Sequence, residues 1–268
     1  MVVYDDFDGL YFTIQAIKMY HPEITNRIEF VVIDNNPSSK HGVETAAFCK
    51  TDKRIRYFAS DNSKGAFAKE DVFLHANSDY VLVCDCHVLF APKALSSLIG
   101  FFDGRKDEGN LIQGPLLSDN MTVIATHLKP TWGSGMFGQW AYDKRVESEE
   151  FFEIPAQGMG VFACRKNIWV GFPEKSEGFG GEEYIVNEKF KQIGKKTLCL
   201  SSLRWNHRFR RPHGAPYKPS RENKFKNHIR GFLETDMPIF QALEHYKSIG
   251  TSESEINTWL TDVIKENA

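Results

Sequence analysis

Short apolar runs that each stop at an acid-rich polar cluster constrain this chain more than any other feature. Val2-Val3 runs into Tyr4-Asp5-Asp6, the run 30–33 into Asp34-Asn35-Asn36, and the run 80–84 into Asp85-Cys86-His87. Helical patterns lie between them. Asp8-Gly9 opens one that carries Leu10, Ile14, Ile17 and Met19 and stops before Pro22; a second spans 65–76; Pro92 opens a third. Weaker strands are expected at 55–58 and 197–200. Such alternation predicts an α/β protein with a mostly parallel sheet flanked by helices. Ligands of open parallel sheets bind outside the carboxyl ends of the strands. One carboxylate past a strand is ordinarily a turn former; three at successive strand ends mark one sheet edge as the site.

The chain has 268 residues, 41% hydrophobic and 25% charged, with 33 basic and 35 acidic side chains and a net charge of −2. This composition excludes disordered and collagen-like chains and leaves room for a sizeable core. No apolar run approaches the roughly 18 residues of a membrane span. The acidic start lacks the basic flank of a secretory signal. Five cysteines do not make a disulfide framework. The expectation is a cytoplasmic protein. From Pro238 the pattern turns helical; Ser252-Glu253-Ser254-Glu255 fits a capping box, followed by an apolar stripe at Ile256, Leu260, Val263 and Ile264. A catalytic domain over 1–235 with a helical extension over 236–268 packed on it is the expected organisation.

Asp85 and His87 form the sharpest constellation. If the strand continues through residue 87, alternation puts both side chains on one face and Cys84 and Cys86 on the other. A carboxylate and an imidazole together suit a single Mn²⁺ or Mg²⁺ carrying phosphate oxygens. The rival reading is zinc held by Cys84, Cys86 and His87, which alternation disfavours and no Cys-x-x-Cys supports. The bland reading has the cysteines as core thiols and His87 as a surface residue.

In order along the chain, these residues resemble a nucleotide-sugar glycosyltransferase of the GT-A fold. Val3-Tyr4-Asp5 resembles the Val-Tyr-Asn opening of the inverting family 2 enzymes; Asp34 resembles the acid that reads uracil; Lys64-Gly65 resembles the segment before the second helix. Asp85-Cys86-His87 resembles the Asp-x-His metal motif of polypeptide N-acetylgalactosaminyltransferases. Gly180-Gly181-Glu182-Glu183 is similar to Trp-Gly-Gly-Glu-Asn/Asp, with Phe179 in the Trp place. Trp205-Asn206-His207-Arg208-Phe209-Arg210 resembles His-Val-Phe-Arg, whose histidine is the third metal ligand. Pro216-Tyr217 resembles the Pro-Tyr of the loop over the diphosphate, two residues further from the histidine than in the family. Val2 stands where the family has proline, the first strand is nearly absent, and nothing resembles the animal enzymes' lectin domain.

The resemblance implies a UDP-sugar donor, a hydroxyl acceptor on a glycan, a protein or a modified base in DNA, and a cation on Asp85, His87 and His207. It implies donor contacts at Tyr4, Asp5, Asp34, Lys64, Asp85, Gly158, Arg210 and Tyr217. In inverting relatives the second acid, Glu183, is the general base; in retaining ones Glu182 only positions the sugar. Stereochemistry stays open.

Residues 204–226 hold eight basic side chains against Glu222 alone, a local +7 in an otherwise acidic chain. Pro212, Gly214, Pro216 and Pro219 make this stretch a loop, read as a lid whose Arg210 and Tyr217 grip the diphosphate and exclude water. Glu182 and Glu183 open a helix that ends at Gly194, a C-cap residue. Gly133, Gly135 and Gly138 spell GxGxxG, but Pro130 and Trp132 precede it instead of a strand, so a dinucleotide site is rejected. Trp132 and Trp140 are sugar-stacking candidates, with packing as the default. Two alternatives remain: a nucleic-acid-binding module on an inactive scaffold, driven by the +7 stretch, and a nucleotide-sugar hydrolase.

Overall fold

The computed structural model describes residues 1–60, 65–209 and 217–266; Lys64, Arg210 and Pro216 lie outside them. The first unit alternates β1 (Val2–Val3), α1 (Phe7–Tyr20), β2 (Phe30–Asp34), α2 (Lys40–Cys49), β3 (Ile55–Ala59), α3 (Lys69–His75) and β4 (Tyr80–Cys84). Its strands pair in parallel in the order β3-β2-β1, and a parallel bridge from Val2 to Asp85 joins β1 to the end of β4. That bridge sets the polar clusters after β1 and β4 side by side. The first helix start has a visible physical cause. Asp6 caps α1 by accepting the Gly9 N–H at 3.1 Å, two residues before the expected opening. The expected helix over 65–76 begins instead as a 3₁₀ turn, Gly65–Ala68; only glycine fits its first position, where φ is +61 and a Cβ would lie 2.0 Å from the Gly178 carbonyl oxygen.

Beyond β4 come β5 (Val88–Phe90), α4 (Ala94–Asp103), β6 (Leu111–Gln113), β7 (Leu116–Leu117), β8 (Ile124–Ala125), β9 (His127–Gly133) and β10 (Met136–Ala141). Then follow β11 (Phe151–Ile154), β12 (Val161–Arg165), α5 (Glu183–Gln192), β13 (Thr197–Leu200) and β14 (Trp205–His207). The central sheet continues β4-β12-β6-β13-β11, where only β6 and β13 run parallel. Antiparallel pairing thus enters the sheet once β12 inserts next to β4. A smaller sheet, β5-β14-β7-β8, sets His207 opposite Val88. The β9–β10 hairpin carries the GxGxxG, so a strand does precede it, contrary to expectation; a second strand follows, and dinucleotide geometry stays excluded.

Two apolar clusters cover the faces of the central sheet, one around Leu10, Ile14, Leu98 and Trp205, the other around Phe67, Phe73, Phe162 and Phe190. A third joins the hairpin to α6 (Arg221–Glu234), α7 (Phe240–Ser248) and α8 (Glu253–Glu266), with Phe137, Phe225, Phe232 and Tyr246 buried in it. The capping box forms as expected: the Ser252 N–H donates to Glu255 Oε2 at 2.9 Å and the Glu255 N–H to Ser252 Oγ at 3.3 Å. Ile256 and Val263 are buried on α8, while Ile264 faces outward. Trp132 stacks on His245 at 4.6 Å and packs against Phe137 and Phe232. It is a packing residue, which settles its reading in favour of the default.

Candidate active site

The strand ends converge on a cavity of about 700 Å³ whose wall includes Tyr4, Asp85, His87, Gly158, Glu182, Glu183, His207 and Tyr217. The strand does not run on through residue 87: Cys86 and His87 form a turn between β4 and β5. The turn still gathers Asp85, His87 and His207, with one ligand atom of each within 4.8 Å of the others. His207 arrives because β14 pairs antiparallel with β5, and the Arg208 N–H donates to the His87 carbonyl at 3.1 Å.

The nitrogens are assigned by their partners. His87 Nδ1 lies 2.9 Å from Asp6 Oδ2, which places the ring proton on Nδ1 and leaves a lone pair on Nε2. That Nε2 lies 3.1 Å from His207 Nε2, which is itself 3.3 Å from Asp85 Oδ2. A proton on His207 Nε2 bridges both. His207 Nδ1 is buried with no partner among the described residues. Displacing that proton frees His207 Nε2, and two imidazole nitrogens with one carboxylate oxygen then make a donor set that fits a small divalent cation.

The other oxygen of Asp85 is neutralised by a residue the sequence reading missed. Lys69 Nζ, on a side chain only 6% exposed, lies 3.0 Å from Asp85 Oδ1 and donates to the Met159 carbonyl at 2.8 Å. Burial works against charge on Lys69, but Asp85, Glu182 and Glu183 outweigh it and raise its pKa. Burial likewise pushes Asp85 up, and Lys69, His207 and His87 more than reverse that, holding the carboxyl well below the usual carboxylate range. Asp85 therefore stays ionised, one oxygen on the ammonium and the other facing the histidines.

Across the cavity Gly180 and Gly181, at φ +93 and +95, lead into α5. Glu182 is buried, and burial followed by the neighbouring Glu183 pushes its pKa up to about 8. Glu183 is half-buried and raised too, mainly by burial. One carboxylate oxygen of each is buried without a hydrogen-bond partner among the described residues. Gly158 brings backbone to the cavity wall: a Cβ there would lie 2.6 Å from Trp140, which also lines the wall at 40% exposure.

Two expected donor contacts are turned elsewhere. Asp34 is buried, accepts the Tyr57 hydroxyl and the Asn36 N–H at 3.0 Å each, and is not on the wall; Asn35 is. Asp5, at φ +47, accepts the Asn36 amide at 3.0 Å and is likewise not on the wall. Lys64 and Arg210 fall outside the described residues. The +7 stretch is not all loop: residues 221–226 begin α6, and Lys226 pairs with Glu222 and Asp262. Arg208 and Lys218 line the cavity. Nothing in local sequence marks Lys69 as a site residue; Asp6 belongs to the first acidic cluster but stands beside the chosen Asp5, and the bridge between β1 and the end of β4 favours Asp6.

The family described as Glycosyl transferase family 2 matches residues 1–166. No curated protein matches the sequence significantly. Among solved structures, GalNAc-T7 with UDP, GalNAc and Mn²⁺ superposes with a TM-score of 0.71 at 15% identity, covering 98% of this chain and 53% of that one. The chain thus spans about half that protein's length. Staphylococcus aureus TarS (residues 1–349) with UDP-GlcNAc gives 0.60 at 14%, covering 98% and 79%. A Pyrobaculum calidifontis mannosyltransferase with GDP-Man and Mn²⁺ gives 0.54 at 14%, covering 97% and 71%. At these identities the likeness establishes the fold.

Proposed function

Because the chain belongs to glycosyl transferase family 2, we propose that it moves a hexosyl or N-acetylhexosaminyl group from a UDP-sugar to a hydroxyl acceptor with a divalent cation, Mn²⁺ or Mg²⁺. The observation that carries this reading is the meeting of Asp85, His87 and His207 in one cavity that Glu182 and Glu183 also line. When bound by those three residues, the cation supplies Lewis-acid neutralisation of the leaving diphosphate. The chain's own groups do the rest. Lys69 holds Asp85 ionised and in place. Arg208 and Lys218 present positive charge to the phosphates from the cavity wall. Glu183, half-buried with a carboxylate oxygen lacking a hydrogen-bond partner among the described residues, is the base that takes the acceptor's proton. Glu182, held largely protonated by burial and by Glu183, donates a hydrogen bond to a sugar oxygen. Tyr4 and Tyr217, ring centroids 6.0 Å apart, flank the nucleoside end together with Asn35.

The nucleic-acid alternative has less to rest on, since part of the basic stretch is paired within the protein and part faces the cavity. No helix among the described residues is long and apolar enough to cross a membrane. All five cysteines are buried, in keeping with a place in the cytoplasm. Incubation with Mn²⁺ and each common UDP-sugar, following UDP release with and without acceptors, tests the proposal. One donor is expected to turn over slowly in water and faster with acceptor; equal rates with and without acceptor would assign a hydrolase, and no release from any donor would contradict the reading.

A further inference from the structure

The turn that delivers His87 to the cavity also brings it against a thiol. Cys86 Sγ lies 3.4 Å from His87 Nδ1 and 3.9 Å from Asp6 Oδ2, and those two atoms are 2.9 Å apart. An ion near the centre of that triangle sits about 2 Å from all three atoms, the range of zinc bonds to nitrogen and oxygen and slightly inside that to sulfur. The ligand atoms of Asp6, Cys86 and His87 all fall within 4.8 Å of one another, on the opposite ring nitrogen from the one that meets His207. We propose that Asp6, Cys86 and His87 form a second metal site, selective for a thiophilic dication such as Zn²⁺, that competes with the Asp85–His207 side for His87.

The surroundings are those of a built site. Asp6 is oriented by the Gly9 N–H on its other oxygen. The turn is clamped by Thr13, whose hydroxyl lies 3.1 Å from the Cys86 carbonyl and accepts the Val88 N–H at 3.1 Å. Cys86 and His87 both line the cavity, and Asp6 is buried behind them. A thiolate favours zinc-type ions over Mn²⁺ and Mg²⁺, which prefer oxygen. Zinc was an open reading of the sequence through Cys84 and Cys86; the turn replaces Cys84 with Asp6 from the neighbouring strand end.

Binding breaks the Cys86 S–H bond and displaces the proton between Asp6 and His87 Nδ1. The thiol proton leaves to solvent and the ring proton returns at Nε2. His87 then presents an N–H where the cavity-side cation needs a lone pair. Occupation of the second site therefore switches off the first, whatever reaction the first supports.

Co²⁺, which reports thiolate ligation by a near-ultraviolet charge-transfer band, tests this without any assay of sugar transfer. Co²⁺ titrated into the full chain is expected to give the band in the wild type and in His207→Ala, to give none in Cys86→Ser, and to lose it on addition of Zn²⁺. Absence of the band in the wild type, its persistence in Cys86→Ser, or its loss in folded His207→Ala would each overturn the proposal. Zn²⁺ is also expected to displace bound Mn²⁺, followed by its paramagnetic resonance, at least tenfold more weakly in Cys86→Ser. Equal displacement in the two proteins contradicts the competition.

Discussion

Single residues in this site do more than one job, and their charges are interdependent. Lys69 is the clearest case. Its ammonium is buried against Asp85, and breaking a buried pair by removing one partner costs about 3–5 kcal/mol because the other charge is stranded. Asp85 keeps some access to the cavity, so Lys69→Met is expected near the lower figure by urea denaturation, with loss of UDP-dependent stabilisation. Glu183→Gln is expected to lower turnover by about 10²–10⁴ while leaving the UDP and Mn²⁺ melting shift in place, since a general base acts on the acceptor's proton and not on donor binding. Glu182 sets a pH dependence. Its folded-state pKa lies above that of an unfolded carboxyl, so the native chain binds the proton more tightly and stability falls as pH climbs from the ordinary carboxylate range toward about 8. Glu183 is shifted in the same direction. Glu182→Gln is therefore expected to flatten, without abolishing, the decline in melting temperature over that range.

At the scale of elements, the parts that sequence periodicity revealed are those whose local pattern agrees with their environment. The runs ending at Ile33 and Cys84 are apolar because both faces of a central strand are covered. The β9–β10 hairpin was not legible, because Pro130, Trp132 and three glycines obscure alternation in a strand pair held by α6 and α7. There, Tyr246 Oη donates to the Gly135 carbonyl and His245 Nε2 accepts the Gly135 N–H, each at 3.1 Å. Tyr246→Phe is expected to cost about 1–3 kcal/mol in chemical denaturation, because it leaves a buried carbonyl unsatisfied. Asp34 and Asp5 teach the converse lesson. Both stand at strand ends, Asp34 as the last residue of β2 and not past it, but side-chain direction depends on Tyr57 and Asn36, which arrive from other segments.

For the whole molecule, the site exists because distant segments meet at one sheet edge: β1 and β4 by their bridge, β14 through β5, and α5 through its glycine approach. The order of motifs along the chain carries that much, since the resemblance implies Asp85, His87 and His207 as one ligand set. Lys69 is not legible there, because burial and pairing across the sheet leave no local pattern, and Asp6 is legible only as one of two adjacent acids. The last two helices bury apolar surface against the rest of the chain: Ala242, Tyr246, Ile256 and Val263 are buried in one cluster with α6 and the hairpin. At about 1.5–3 kcal/mol for each large apolar side chain, their loss is comparable with a typical domain's total stability of about 5–15 kcal/mol. A chain truncated after residue 235 is expected to show no cooperative melting transition.

The convergence of Asp85, His87 and His207 on one dication is the claim on which the functional account depends. Crystals grown with Mn²⁺ and UDP, with anomalous data collected at the manganese edge, test it most directly. The account predicts a single strong anomalous peak within bonding distance of Asp85 Oδ2, His87 Nε2 and His207 Nε2, contiguous with diphosphate density. Bound UDP with no peak at those atoms, or with the manganese held by other residues, would contradict it.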